Sequence, residues 1–433
     1  MAFPACNYTP GMSDRKNRRA AIAWVLLDWA ASGFSTAVIT LVVAYVERIV
    51  FADRAWGLPG GVIWAWITAT AMLASALIAP WLSALADRTG SHQRLLLASV
   101  AAGSCGCLAL AAVPPGWRLA VATAIIVATI GFDMAQIFTG SLLPRLAQGG
   151  SADRLSAAGF AAGYLGGAIA LILATSVVGG RDTLGLSPSG GLRLSFALIA
   201  GWWILFSLPA AWTRIDDGQA VRHAGNSAGE LLGYARSLAT GGDRGTLGRV
   251  LLGAVIVLGV VQTAISQFSS LAIEQFHLDA AALVRLVLLV QFVALPGALL
   301  VGWLSTRWSR AGMLAICLAG WLAVLTLGWF VQTPAQLTAL AVLLALVLGG
   351  IQSVIRATVA MLSPRGHDGA TFGLMQVGTK LAGFAASLVF GGMYAASGHP
   401  RSGLLTLIAQ LLVGWWILAT AQHQAMPSTS RIE

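Results

Sequence analysis

The sequence predicts an all-α polytopic membrane protein, with twelve transmembrane helices arranged as two six-helix pseudo-repeats. Three observations carry that prediction. Of 433 residues, 57% are hydrophobic and only 10% charged, too little polar surface to cover a soluble body. Apolar runs of about 20 residues, the length that crosses a hydrocarbon core, recur almost from end to end. Two markers also repeat at nearly one spacing: Pro144-Arg145 returns 220 residues later as Pro364-Arg365, and the run Ser83 to Arg88 returns 219 residues later as Gly302 to Arg307.

Residues 1–19 form a polar tail that ends in Arg15, Lys16, Arg18 and Arg19. The apolar run that begins at Ala20 continues to Val46, too long for a signal peptide and closed by no small-residue cleavage site, so it is the first span. Further spans are expected at 62–85, 95–113, 118–142, 156–178 and 193–212, which makes 20–212 the N-terminal six-helix bundle. Residues 213–249 read as a polar linker, with Asp216, Asp217, Arg222, Glu230, Arg236, Asp243 and Arg244. Leu231, Leu232, Tyr234, Leu238 and Leu247 are mixed among those charges and predict an amphipathic helix on the membrane surface. Six more spans, at 250–272, 282–304, 311–331, 335–360, 370–396 and 402–421, make up a C-terminal bundle over 250–421, followed by a tail at 422–433.

Short loops rich in Lys and Arg stay on the cytoplasmic side. The N-terminal tail, the linker and the loops on their side hold seventeen basic residues against seven opposite, which puts both termini in the cytoplasm. Only Lys16 and Lys380 of the 26 basic residues are lysine, the usage of a GC-rich bacterial genome, so the expected location is a bacterial inner membrane. The net charge of +10 is scattered over these loops, and no nucleic-acid partner is expected.

Several features read as structural. Cys6, Cys105, Cys107 and Cys317 show neither disulfide nor metal spacing. His92, His277, His367, His399 and His423 fall in loops or tails without paired zinc-ligand spacing. Gly159, Gly163, Gly166 and Gly167 form a small-residue face for helix packing; no Lys-Ser/Thr follows to make a phosphate loop. Trp202-Trp203 and Trp415-Trp416 read as interfacial anchors, and Pro80 and Pro296 as shapers of helix ends or kinks. No catalytic grouping emerges, so the chain is read as neither an enzyme nor a cofactor carrier.

The costly residues are those inside spans. A charge near mid-membrane costs about 2.5 to 3.5 kcal/mol on insertion scales, so each asks for a partner or a water-filled cavity. Asp28 and Asp133 lie in the N-terminal half, Arg356 and Lys380 in the C-terminal half. Gln136 and Gln352 share a helix face with Asp133 and Arg356. Gln262, Gln267, Gln291 and Tyr164 add further polar groups, for which interhelical hydrogen bonding stands level with solute contact. The expected solute and coupling set is Asp28, Asp133, Gln136, Gln262, Gln352, Arg356 and Lys380, with Asp28 the first candidate for a proton-responsive group and Asp133 the second.

The loop Ser83 to Leu95, SALADRTGSHQRL, resembles the signature between the second and third helices of the major facilitator superfamily, Gly-x-Leu-Ala-Asp-Arg-x-Gly-Arg-Lys-x-x-Leu. Leu85, Ala86, Asp87, Arg88, Gly90 and Leu95 match; Ser83 replaces the first glycine and Ser91-His92 the Arg-Lys pair. Three stretches resemble the vacuole-effluxer-like permease branch of that superfamily: Trp24 to Phe34 with Asp28-Trp29, Gly350 to Pro364 with Gln352 and Arg356, and Phe372 to Lys380. The resemblance implies a twelve-helix permease whose eukaryotic relatives are tied to amino-acid export from the vacuole. It assigns gating to the loop, with Asp87, Arg88, Gly90 and Arg94 as the expected latch.

The expected function is secondary active transport of a small solute by alternating access, with an amino acid or small peptide as solute, protons as coupling ion and the monomer as unit. A sugar or organic-anion permease and a non-transporting sensor or assembly factor stay open. An intramembrane enzyme has no catalytic grouping to support it, and no ATP-binding motif is present.

Overall fold

The expected spans form as helices. The computed structural model describes residues 12–52, 60–147, 150–213, 215, 227–239, 243–276, 278, 280–364, 366–397, 399 and 401–425. Arg54, Arg214, Arg222, His277, Arg365 and Arg431 lie outside them, as does Cys6. Twelve of the described helices are long and apolar enough to cross a membrane.

The N-terminal half holds α1 (Met12–Ala37), α2 (Gly60–Thr89), α3 (His92–Ala112), α4 (Arg118–Leu146), α5 (Gly150–Gly179) and α6 (Pro188–Trp212). The linker contains α7 (Ser227–Ala239), and the C-terminal half holds α8 (Asp243–Phe276), α9 (Ala280–Leu304), α10 (Arg310–Phe330), α11 (Pro334–Leu362), α12 (Asp368–Ser397) and α13 (Ser402–Ala425). Beyond Ala37 the first helix continues through two wide π turns, Val38–Val42 and Val46–Val50, separated by Val43–Tyr45.

Helix starts follow local chemistry. Ser187 accepts a hydrogen bond from the Gly190 amide ahead of Pro188, whose missing N–H costs nothing in a first turn. Thr333 and Gln336 form a reciprocal capping box at α11. The helices alternate in direction, so the start of α1, the α2/α3 turn, α7 and the α11/α12 turn share one face, here termed the linker face.

Close packing depends on small residues. A Cβ on Gly131 would lie 2.4 Å from the backbone nitrogen of Gly103, so α3 and α4 approach at backbone contact. Across the halves, a Cβ on Gly302 of α9 would lie 2.2 Å from the Ala157 methyl of α5. The halves meet mainly where α5 packs on α9 and α2 on α12, with α4 and α11 also in contact.

Three expectations change. Trp203 is no interfacial anchor: it is buried and stacks on Phe34, because α6 packs against α1 and turns the ring inward. The amphipathic helix forms, but Tyr234 and Leu238 bury against the bundle rather than lying on lipid, and Leu247 belongs to α8. His92 is not a loop residue; it opens α3 and is wholly buried.

Candidate functional site

The polar groups that join the halves form two layers, one at the linker face and one deeper. At the linker face, Gly90 adopts φ 63°, the left-handed conformation that glycine takes without penalty, and so turns α2 into α3 within a few residues. That turn fixes Asp87 at the end of α2. Its Oδ1 accepts from the Gly369 amide (2.9 Å) and its Oδ2 from the Ala370 amide (2.8 Å). Asp87 thus caps the first turn of α12, where free N–H groups and the helix dipole favour an anion. The contact needs small residues: a Cβ on Gly369 would fall 2.8 Å from the Ser83 carbonyl, and one on Gly373 2.4 Å from Ser83 Oγ. Arg88 and Arg94 are exposed and lie off this contact.

The contact extends sideways. His92 Nε2 is 3.2 Å from Asp87 Oδ1 and 2.9 Å from Arg145 Nη2, and the same Arg145 nitrogen reaches Asp368 Oδ2 at 3.4 Å. On the C-terminal side Tyr234 of α7 stacks on His367 and its hydroxyl meets Thr371 Oγ1 at 2.7 Å, so the linker helix clamps the start of α12. A second bridge, absent from the sequence reading, joins α5 to α10: Arg310 donates Nε to Asp153 Oδ1 (3.2 Å) and Nη2 to Oδ2 (2.6 Å) in a bidentate pair. Charges at helix ends are common, and nothing in either local pattern marks these two as partners. Replacing Asp87 with Asn removes the anion from the dipole and one acceptor from two charge-assisted bonds, each worth about 1.5 to 3 kcal/mol. The expected result is a shift toward the linker-face-open form by about tenfold or more, read by cysteine accessibility on both faces, with expression largely intact.

Deeper in, the four charges inside the spans, Asp28, Asp133, Arg356 and Lys380, pair across the halves. Asp28 of α1 meets Arg356 of α11 at 2.8 Å, and Asp133 of α4 meets Lys380 of α12 at 2.9 Å. The two pairs differ in kind. Arg356 also donates Nε to Ser156 Oγ (3.0 Å) and Nη2 to the Ser156 carbonyl (2.9 Å), and its guanidinium carbon lies over the rings of Trp24 (4.8 Å) and Phe160 (4.2 Å). Trp24 is fixed in turn by donating to the Thr139 carbonyl at 2.7 Å. Arg356 is therefore a clamp that ties α11 to α1 and α5.

Asp133 has no such support. It is 0% exposed and pairs with Lys380, yet neither carboxylate oxygen accepts an aligned hydrogen bond from the described residues. Asp28 Oδ2, the oxygen that meets Arg356, also lacks an aligned hydrogen bond among the described residues, so the two pairs differ in what holds the base and not in how the acid is met. Lys380 is only half-buried, so this pair is the one more open to a ligand.

The glycine face on α5 does more than pack a helix. A Cβ on Gly159 would lie 2.3 Å from Asp28 Oδ2 and 2.8 Å from Arg356 Nη2, so the missing side chain is the space that the ion pair fills. Gly163 and Gly167 make similar room for Ser32 and Thr36 of α1. Gln291 donates to Thr36 Oγ1 at 2.8 Å and adds an uncharged link from α9 to α1. Gln136 is half-buried one turn from Asp133, and Gln352 donates to its own helix at the Leu348 carbonyl (3.2 Å). Gln262 is exposed and is not brought to the charge pairs; the side chain of Gln267 lies outside the described residues. No metal-holding cluster occurs among the described residues.

Comparison with known proteins decides the family. The model of the family described as "Vacuole effluxer Atg22 like" matches residues 63–427, most of the chain. The chain belongs to the Atg22-like vacuole effluxer family. A relative of this Atg22-like chain in Bacillus subtilis, described as an uncharacterized MFS-type transporter, YxiO, is 25% identical over 94% of this chain and 96% of its own. Autophagy-related protein 22-1 of Penicillium rubens is 25% identical over 60% of this chain, which spans only 47% of that longer protein. Among solved structures, the E. coli fucose:proton symporter FucP superposes with a TM-score of 0.71 at 15% identity, covering 95% of this chain and 99% of its own. The Atg22-like chain is thus a membrane transporter of the major facilitator superfamily.

Proposed function

We propose that this Atg22-like transporter moves a small solute carrying both charges, an amino acid or short peptide, by alternating access, with the linker face toward the cytoplasm of a bacterium. The observation that carries the reading is the arrangement of the buried charges: both acids on one half, both bases on the other, paired across the plane along which the halves separate. When the halves part, each pair leaves buried charges without partners, at a cost of several kcal/mol per broken pair. A zwitterion supplies both missing counter-charges at once, its carboxylate to a base of the C-terminal half and its ammonium to an acid of the N-terminal half. A neutral solute supplies neither. The half-buried Lys380 and the wholly buried Asp133 are the first such contacts, and Arg356 with Asp28 form the linker-side gate beneath them.

Asp28 stays the first candidate for a coupling proton and Asp133 the second, each a buried acid whose counter-ion sits on the opposite half.

One observation favours a second reading. All four charges are paired with one another, so a neutral solute such as a sugar would be held by uncharged groups, Gln136, Gln352 and Tyr164 among them, with the ion pairs as locks. Counterflow in proteoliposomes separates the two. Free amino acids are expected to exchange, and their amides and sugars to exchange at least about tenfold more slowly. Equal exchange of an amino acid and its amide removes the carboxylate contact, and exchange of sugars alone establishes the second reading.

A further inference from the structure

Tyr164 reaches from one half onto the other near the depth of the buried charges. It lies four residues past Phe160 and eight past Ser156 on α5, so it shares the face that holds Arg356. A Cβ on Gly349 of α11 would fall 2.6 Å from Tyr164 Cε2, 3.2 Å from its hydroxyl oxygen and 2.9 Å from the Ala298 methyl of α9. The phenol therefore rests on bare α11 backbone, in a seat that only glycine leaves open. Its depth follows from two ties to Arg356, whose guanidinium is bonded to Ser156 and lies over Trp24, itself bonded to the Thr139 carbonyl of α4. Counted from that level at about 1.5 Å per residue, Tyr164 is about 12 Å along α5 and Asp133 about 9 Å along α4, both away from the linker face. The two lie within one helical turn in depth, and a solute that enters from the opposite face meets both before the Arg356 gate.

The hydroxyl is uncommitted. Tyr164 is half-buried and its oxygen makes no hydrogen bond to any described residue, whereas Gln291, on the neighbouring α9, is spent on Thr36. Interhelical bonding, one of the two roles that the sequence leaves open to this phenol, is not what it does here. A zwitterion in this space is short of donors rather than acceptors. Its ammonium can meet a buried carboxylate, but its own carboxylate has about four lone-pair sites to fill. Arg356 is already occupied by Asp28 and Ser156, and Lys380 offers one ammonium. We infer that the Tyr164 hydroxyl donates a hydrogen bond to the solute carboxylate from the seat that Gly349 provides, and so determines specificity for carboxylate-bearing solutes. The assignment rests on the zwitterionic solute proposed above.

The test is counterflow by the full chain in proteoliposomes, with apparent affinity and maximal rate read separately for an amino acid and for its amide. Tyr164→Phe keeps the ring on Gly349 and removes only the O–H. It is expected to weaken apparent affinity for the amino acid about tenfold or more, the loss of a hydrogen bond to a charged acceptor. The loss for the amide, a neutral acceptor, is expected to be at least about threefold smaller. The maximal rate is expected to stay near the native value, as when binding alone is removed. Gly349→Ala displaces the same hydroxyl from the opposite half and is expected to give the same carboxylate-selective loss, so it carries the test if Tyr164→Phe is not monodisperse. A native protein that exchanges no amino acid overturns the proposed function, and this contact with it. Native exchange with unchanged affinity in Tyr164→Phe, an equal loss for acid and amide, or a fall in maximal rate alone overturns the contact and leaves the proposed function standing.

Discussion

Lys380→Ala is expected to abolish transport and to lower stability by about 3 kcal/mol or more, as when one member of a buried pair is deleted. Asp133 is wholly buried, and Lys380 is its ion-pair partner. Deleting the lysine leaves a carboxylate that must either stay charged without a counter-ion or take up a proton. The companion variant, Asp133→Asn with Lys380→Gln, has no charge left to strand and is expected to regain most of the lost stability. If the solute is the proposed zwitterion, transport is expected to stay absent, because neither its carboxylate nor its ammonium finds a partner there. Thermal unfolding of purified protein and counterflow in liposomes report the two quantities separately. A single variant as stable as the double shows that the pair contributes nothing to the fold, and a double variant that still exchanges amino acids places the solute elsewhere.

The sequence made the spans legible because about 20 apolar residues have few other uses, and it made the four buried charges legible because each is costly in lipid. It did not reveal their pairing. Asp28 with Arg356 and Asp133 with Lys380 depends on which helices touch across the halves, and no local pattern encodes that. Segment ends moved for physical reasons. The third span begins at His92 rather than residue 95 because the Gly90 turn is tight, and the first extends back to Met12 because a helix need not end where the apolar run does. The largest losses were at the linker face. Asp153, Arg310 and His92 look like ordinary solvated residues at helix ends, and they become buried or paired only when helices distant in sequence close over them. Ser156, Trp24 and Phe160 were passed over because a serine or an aromatic in an apolar run costs little and so raises no question, yet together they hold Arg356.

Those three residues decide what Arg356→Lys should do. Lysine keeps the charge and can still reach Asp28, but one ammonium cannot also make the two bonds to Ser156 or present a flat face between Trp24 and Phe160. The protein is expected to fold, to lose about 1 to 3 kcal/mol of stability, and to exchange amino acids at least about tenfold more slowly. The cause of the slowing distinguishes the two roles open to this side chain. If Arg356 is a gate, Ser156→Ala reproduces part of the defect, the two changes combine less than additively because they break the same contact, and every transported solute slows alike. If Arg356 itself grips the solute carboxylate by its planar fork, Ser156→Ala is nearly silent, and apparent affinity falls for amino acids while their amides are untouched. The present geometry, with each guanidinium nitrogen already in contact with Asp28 or Ser156, predicts the first pattern. A loss of affinity confined to carboxylate-bearing solutes gives Arg356 the second role, as a direct solute contact in the form open to the linker face.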